Sequence, residues 1–346
     1  MRALLAGGAS ANVRTRHNMT AAQIAAYFGR EEIAELIAMH GAVDGGGSLA
    51  DGPPHGGASG AGGEAARRRR GKVGRGPVRL PQLSVALADG AVIGGAALRR
   101  ALDVWERLGA IVFPQLLPES LLGPLRKHAA ATLREAGGTD HALHIRQSRG
   151  RSLRAVPVAH AAEAVGALVR RLAPFLAAAL GAPLALLESG VMRTAPGAED
   201  QSFHSDSRNF DGRLASVQIS LVDTAATQGA LEVVPGTHGM DGAFSGASSG
   251  ASSGAAAVSP VKIAVPAGTV AFYSPSLRHR GSGNTHRNER LFLGLTLLAQ
   301  GGVVPSGIPY AMERTDVGQW WADDGRLHRI GGNANANPTS PVHSLR

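Results

Sequence analysis

From Ala96 to Arg107, apolar residues recur at Leu98, Leu102 and Trp105, a spacing that predicts an amphipathic helix. Leu108-Gly109-Ala110-Ile111-Val112-Phe113-Pro114 is then continuously apolar, which predicts a short buried strand ended by proline. Pro118-Glu119-Ser120-Leu121-Leu122 leads into a second helix reaching about Glu135. A longer helix, roughly Ala162 to Leu180, carries Val165, Leu168, Leu172, Phe175 and Leu176, a pattern suited to the outside of a sheet. Between them, Ile145 to Arg154 holds Arg146, Arg149, Arg151 and Arg154, which suit either contact with an acidic substrate or a solvated loop. Past Leu184 the period shortens. Strands are predicted at about 184–193, 214–222, 230–234, 261–264, 269–273 and 290–298, separated by Gly, Pro and Asn. Six such strands with turns between them predict a mainly β chain closed into a barrel or jelly roll, with the helices flanking it.

The amino-terminal segment follows another rule. Gly8-Ala9 is echoed by Gly41-Ala42, an offset of 33 residues, with Thr20-Ala21-Ala22, Ala25-Ala26, Gly29 and the apolar face Ile33, Leu36 and Ile37 between them. This resembles an ankyrin repeat, an all-α unit that stacks to bind protein partners. One repeat and part of another, spanning 1–43, imply at most a weak protein partner. Residues 44–80 read as a Gly-rich linker ending in the basic run Arg67-Arg68-Arg69-Arg70.

Composition narrows the chemistry. Apolar residues are 44% of the 346, enough for a core, and the 47 glycines gather in linkers and insertions. There is no cysteine, which excludes disulfides, thiol catalysis and iron–sulfur clusters. A net charge of +9 sits partly in the basic run, and aromatics are 4%, too few for base-stacking platforms, so nucleic acid is not the expected partner. No run of eighteen apolar residues suggests a membrane span, and the glycine-broken start does not resemble a secretory signal. A cytoplasmic location is the expectation. Neither G-x-G-x-x-G nor a P-loop interrupts the strands.

Gln201-Ser202-Phe203-His204-Ser205-Asp206 places a histidine and a carboxylate two positions apart, pointing the same way on extended backbone. His279, in Leu277-Arg278-His279-Arg280-Gly281, supplies a second imidazole from a later strand. Two imidazoles and one carboxylate can hold Fe(II) and leave positions open. Arg290 follows His279 by eleven residues, where a guanidinium could bind a carboxylate bidentately. Gln228-Gly229-Ala230-Leu231-Glu232-Val233-Val234-Pro235-Gly236-Thr237-His238 lies between.

Taken together these motifs resemble the phytanoyl-CoA dioxygenase family of Fe(II)/2-oxoglutarate oxygenases, over roughly 95–315. The resemblance implies a double-stranded β-helix (jelly-roll, cupin-like) barrel in that span, with 316–346 as a C-terminal extension. It implies Fe(II) on His204, Asp206 and His279, with 2-oxoglutarate and dioxygen as co-substrates. Arg290 would pair with the distal carboxylate of 2-oxoglutarate, Asn284 and Thr285 would shape the same pocket, and Gln218 would line it. The expected reaction is hydroxylation of an unactivated C–H bond of a small molecule. The retained carboxylate Asp206 argues against halogenation. His238 reads as a structural turn residue, Trp320 and Trp321 as core packing, and 239–259 as a low-complexity insertion. A metal barrel without turnover, and an ankyrin-linked interaction protein, are the alternatives.

Overall fold

Phe113, Phe175 and Phe272 meet edge to face with ring centroids 5.6–5.9 Å apart, and the molecule is layered around this contact. Such pairs add about 0.5–1.5 kcal/mol each beyond their burial. The computed structural model describes residues 78–134, 150–207, 212–239, 259–304 and 311–330. The ankyrin-like segment, the basic run, Arg146, Arg149 and nearly all of the 239–259 insertion lie outside the described residues.

Four helices are described: α1 (Leu80–Leu83), α2 (Gly95–Leu108), α3 (Glu119–Arg134) and α4 (Val158–Ala179). Helix α4 buries Val165, Leu168, Leu172, Phe175 and Leu176, as its 3.6-residue spacing requires. Helix α2 ends at Gly109, whose φ of 70° is the left-handed cap geometry that glycine adopts without strain. A side chain there would also strike the His238 ring at Nδ1. His238 therefore buttresses the helix end, its Nε2 lying 3.2 Å from the Glu106 carbonyl.

Eleven strands follow in chain order: β1 (Ala110–Phe113), β2 (Arg151–Ala155), β3 (Leu184–Thr194), β4 (Leu214–Ser220), β5 (Leu231–Val233), β6 (Val261–Ile263), β7 (Val270–Tyr273), β8 (His279–Gly281), β9 (Arg290–Ala299), β10 (Trp320–Asp323) and β11 (Arg326–Arg329). They form one eight-stranded antiparallel sheet, ordered β1-β7-β4-β9-β3-β10-β11 with β2 also on β3, and a separate sheet ordered β6-β5-β8. Strand β3 is long enough to pair with β10 near its start and β2 near its end.

The expected closed barrel does not form. The large sheet stays open, and the fold is mixed α/β with an antiparallel sheet. The physical reason lies in the second sheet, whose strands are three residues each. Three residues cannot carry a continuous ladder to both edges of an eight-stranded sheet. Short contacts such as the isolated bridges Thr224↔Val265 and Gln228↔Asn284 knit the connecting segments instead. Among the described residues, the outer edge of β1 is met by one bridge, to Ser84. Helices α2, α3 and α4, of 14, 16 and 22 residues, make a full layer rather than a flanking ornament.

Alternation assigns the faces of the large sheet. Leu291, Leu293, Leu295 and Leu297 of β9 and Ala215, Val217 and Ile219 of β4 join α4 in the core. The other face carries Arg290, Phe292, Gly294 and Thr296. Trp321 is buried opposite Ala185, and Trp320 donates to Asp316. No described helix is long and apolar enough to cross a membrane.

Candidate metal centre

His204 and His279 exchange both backbone hydrogen bonds, at 2.9 and 2.8 Å. Such a pair in antiparallel register puts both side chains on one face, and their ring centroids stand 4.6 Å apart. Gln201 braces the same alignment further along, accepting from Gly281 N–H at 2.8 Å while its own N–H donates to Gly281 O. Asp206, two residues beyond His204, therefore returns to the face of the imidazoles, and its backbone N–H donates to Pro275 O.

The tautomers follow from the backbone. His204 Nδ1 lies 2.8 Å from Ser202 O, and His279 Nδ1 lies 2.9 Å from Leu277 O. A carbonyl only accepts, so each Nδ1 carries the proton and each Nε2 presents a lone pair. Those Nε2 atoms stand 3.6 and 3.5 Å from the two oxygens of Asp206, too far for a direct hydrogen bond. All three ligand atoms lie within 4.8 Å of one another. That is the spacing of donors sharing one ion, and the donor set suits a divalent first-row metal such as iron. His279 is buried, His204 half-buried and Asp206 accessible, so the group is open on one side.

Behind this triad the cavity face of the large sheet can be read from its register. One cross-strand row runs Glu188, Thr296, Ser216, Tyr273 through β3, β9, β4 and β7. The next runs Gly190, Gly294, Gln218, Ala271, and a third joins Arg151, Thr194 and Arg290. Tyr273 packs its ring 4.7 Å from that of His279. Its hydroxyl is hydrogen-bonded to Gln218 and Ser216, and burial pushes its pKa well above the ordinary phenol value. Gln218 Oε1 in turn accepts from Arg290 Nη2 at 2.6 Å. A continuous chain of contacts thus runs from a metal-facing imidazole to Arg290.

Arg290 is buried, donates from Nη1 to Gly229 O at 2.8 Å, and lies 4.2 Å over the Phe292 ring. Burial, with the neighbouring Arg151 charge, lowers its pKa to about 9, against the opposing Tyr273, so it remains a cation at neutral pH. Among the described residues it makes no ion pair. A buried cation held by neutral acceptors is a receptor for an anion, and the fork suits a carboxylate. Gly229 has φ +71°, and a Cβ there would meet Thr194 Cγ2 at 2.8 Å. Gly229→Ala is expected to cost about 1–3 kcal/mol of unfolding free energy in urea, through strain and overpacking beside Arg290.

The remaining expected residues fall elsewhere. Asn284 is fully buried, but Nδ2 donates to Thr194 O and Asn288 O while Oδ1 accepts from His286 N. It shapes the loop leading to β9. Thr285 is exposed, with its backbone N–H on Thr227 O, and is not brought to the triad.

Three further residues around the triad carry only weak signals in the sequence. Tyr273 looked like the end of an apolar strand. Arg151 lay among the loop arginines; its guanidinium binds Thr194 Oγ1, Glu199 O, Gly281 O and Ser282 O, tying the strand of His279 to the large sheet. Glu188 is a lone acid within the apolar run Leu184-Ala185-Leu186-Leu187, and that isolation was the available signal. Its Oε2 accepts from Thr296 Oγ1 at 2.7 Å. Desolvation pushes its carboxyl up to about 7, with Asp206 adding to the rise and the Thr296 and Ala311 hydrogen bonds opposing it.

Because the fold holds this proton more tightly than the unfolded chain, Glu188 costs stability as pH rises from 4.5 through about 7. Glu188→Gln should therefore leave the metal-free Tm unchanged at pH 4.5 or below. At pH 8 the variant should melt about 2–4 °C higher, for about 1 kcal/mol after allowing for the partial solvent access of the residue.

An open antiparallel sheet backed by helices, with two imidazoles and a carboxylate at its mouth and a buried arginine behind, defines an Fe(II)/2-oxoglutarate-dependent oxygenase. A profile of the phytanoyl-CoA dioxygenase (PhyH) family matches residues 105–291, more than half of the sequence, and the chain belongs to that family. No curated protein matches it. Among solved structures it is similar to the non-heme alpha ketoglutarate dependent epimerase SnoN from nogalamycin biosynthesis, at 19% identity and TM-score 0.49 over 62% of this chain and 85% of that one. The carbocyclase SnoK from the same biosynthesis gives 17% identity and TM-score 0.46 over 67% and 90%. HygX from Streptomyces hygroscopicus, solved with nickel, 2-oxoglutarate and hygromycin B, gives 15% and 0.43 over 59% and 88%.

Proposed function

We propose that this protein hydroxylates an unactivated C–H bond of a small organic substrate, with Fe(II) held by His204, Asp206 and His279. The observation that carries the reading is the convergence of two Nε2 lone pairs and a carboxylate, each Nδ1 proton being committed to a backbone carbonyl. Bound together, iron, 2-oxoglutarate and dioxygen supply the oxidising power for C–H cleavage, releasing succinate and carbon dioxide.

The chain's own residues do the positioning. Arg290 takes the distal carboxylate of 2-oxoglutarate by charge and fork geometry, and Gln218 and Gly229 fix the guanidinium plane. Tyr273 wedges between His279 and Gln218 and keeps water from the buried end. Arg151 holds β8, and so His279, against the large sheet. The reaction belongs to residues 95–315 in this proposal, with 1–43 as an ankyrin-like appendage and 316–346 as an extension.

Incubation with Fe(II), 2-oxoglutarate and a panel of small organic molecules tests it. Substrate-stimulated succinate release with an oxygenated product is expected. A metal-loaded protein that consumes no 2-oxoglutarate with any of them would sink the reading.

A further inference from the structure

The cavity face holds a second charged group that iron and 2-oxoglutarate leave unused. Glu188 sits at the far end of the row that finishes at Tyr273, opposite Thr296. Its place on this face comes from the irregularity between Leu186 and Glu188, which resets the alternation of β3 just before it. The Thr296 hydroxyl and the Ala311 N–H donate to its carboxyl, and among the described residues no basic side chain pairs with it.

The residue beside it on β9 carries no side chain. The next β9 residue on that face is Gly294, where an added Cβ would meet nothing closer than 3.6 Å. Glu188 lies near enough for its charge to be felt by Tyr273, and that of Asp206 by Glu188. It shares a sheet face with Tyr273, whose ring packs 4.7 Å from that of His279. Among the described residues this sheet face thus has a cation without a carboxylate partner, Arg290, in one row and an acid without a cation, Glu188, in another. The first is matched by the dicarboxylate; the second is left for the substrate.

We propose that Glu188 anchors a protonated amino group of the substrate, so that this oxygenase acts on amine-bearing small molecules. The inference rests on the oxygenase reading of the cavity and adds to it the substrate's charge. A carboxylate removed from bulk water strongly prefers a cationic donor, and an ammonium in that place restores the charge that burial penalises. Ionisation sets in near pH 7, with Asp206 and Tyr273 as the charged or titratable groups facing it and Thr296 and the Ala311 N–H as its donors.

Binding can be read without turnover. The full-length chain is loaded with Fe(II) and 2-oxoglutarate under argon. Its affinity is then measured by ligand-observed NMR for primary alkyl- and arylalkylamines, each beside its isosteric alcohol. The wild type should bind the best amine at least about tenfold tighter than its alcohol at pH 8, and the preference should shrink at pH 5.5. Glu188→Gln, checked by circular dichroism and by unchanged Fe(II) affinity, should lose that preference while binding alcohols as before. Failure of every amine to bind, equal affinity for amine and alcohol, or a preference that survives in Glu188→Gln overturns the proposal. Succinate release is followed separately in air. Amine binding without any turnover would count against the oxygenase reading alone, whereas turnover confined to neutral substrates would count against the amine anchor alone.

Discussion

Asp206→Ala is expected to weaken Fe(II) binding by at least about a hundredfold, because losing even a group that merely supports a ligand costs about 10–100-fold. The effect is confined to the metal. Asp206 is accessible, and its side chain makes no direct hydrogen bond to the imidazoles across 3.5–3.6 Å. The metal-free variant should thus unfold within about 0.5 kcal/mol of the wild type. Equilibrium dialysis against Fe(II) and urea unfolding, run on the same preparation, separate the two quantities. Metal affinity equal to wild type would remove Asp206 from the ligand set.

Arg290 is the second large effect, and its signature differs. Arg290→Ala should raise the Kd for 2-oxoglutarate by about 30–1000-fold, the 2–4 kcal/mol typical of truncating one partner of a buried charge pair. Fe(II) binding should stay near wild type, since Arg290 reaches the triad only through Gln218 and Tyr273. The alanine also strands Gly229 O and Gln218 Oε1, so Arg290→Lys is the companion variant. Lysine keeps the charge and loses the planar fork, and it should fall between the other two. Titration of 2-oxoglutarate into anaerobic Fe(II) protein measures all three. An unchanged Kd in both variants would place the co-substrate elsewhere.

Much of this was legible in the sequence, for reasons that can be stated. His204 and Asp206 were readable because extended backbone repeats every two residues, so spacing alone puts them on one face. The contact with His279 depends on a backbone bridge between segments seventy-five residues apart, and no local pattern encodes that. His279 was a candidate by donor chemistry, and resemblance to a family joined it to the other two. Long helices were visible because α2 and α4 each repeat their apolar stripe over several turns. Strand β2 was hidden, since Arg151-Ser152-Leu153-Arg154-Ala155 has the polarity of a loop and gains its order from pairing with β3. Strand β8 is three residues long, below what periodicity can resolve.

Barrel closure was the error. Alternation says which face of a strand is buried but not whether the last strand reaches the first, and here the second sheet is too short to close the circuit. The same limit hid Glu188. Its facing is decided by the irregularity between Leu186 and Glu188, which a strict period of two cannot anticipate. Thr285 is exposed although Asn284 and Arg290 are buried, a difference set by the loop and not by spacing.

Crystals of the protein grown anaerobically with Fe(II) and 2-oxoglutarate, measured at the iron absorption edge, offer the most direct test. A single anomalous peak should be bonded to Nε2 of His204, Nε2 of His279 and the Asp206 carboxylate, with the far carboxylate of 2-oxoglutarate on the Arg290 guanidinium. Iron found away from those three side chains, or 2-oxoglutarate bound without touching Arg290, would contradict the account.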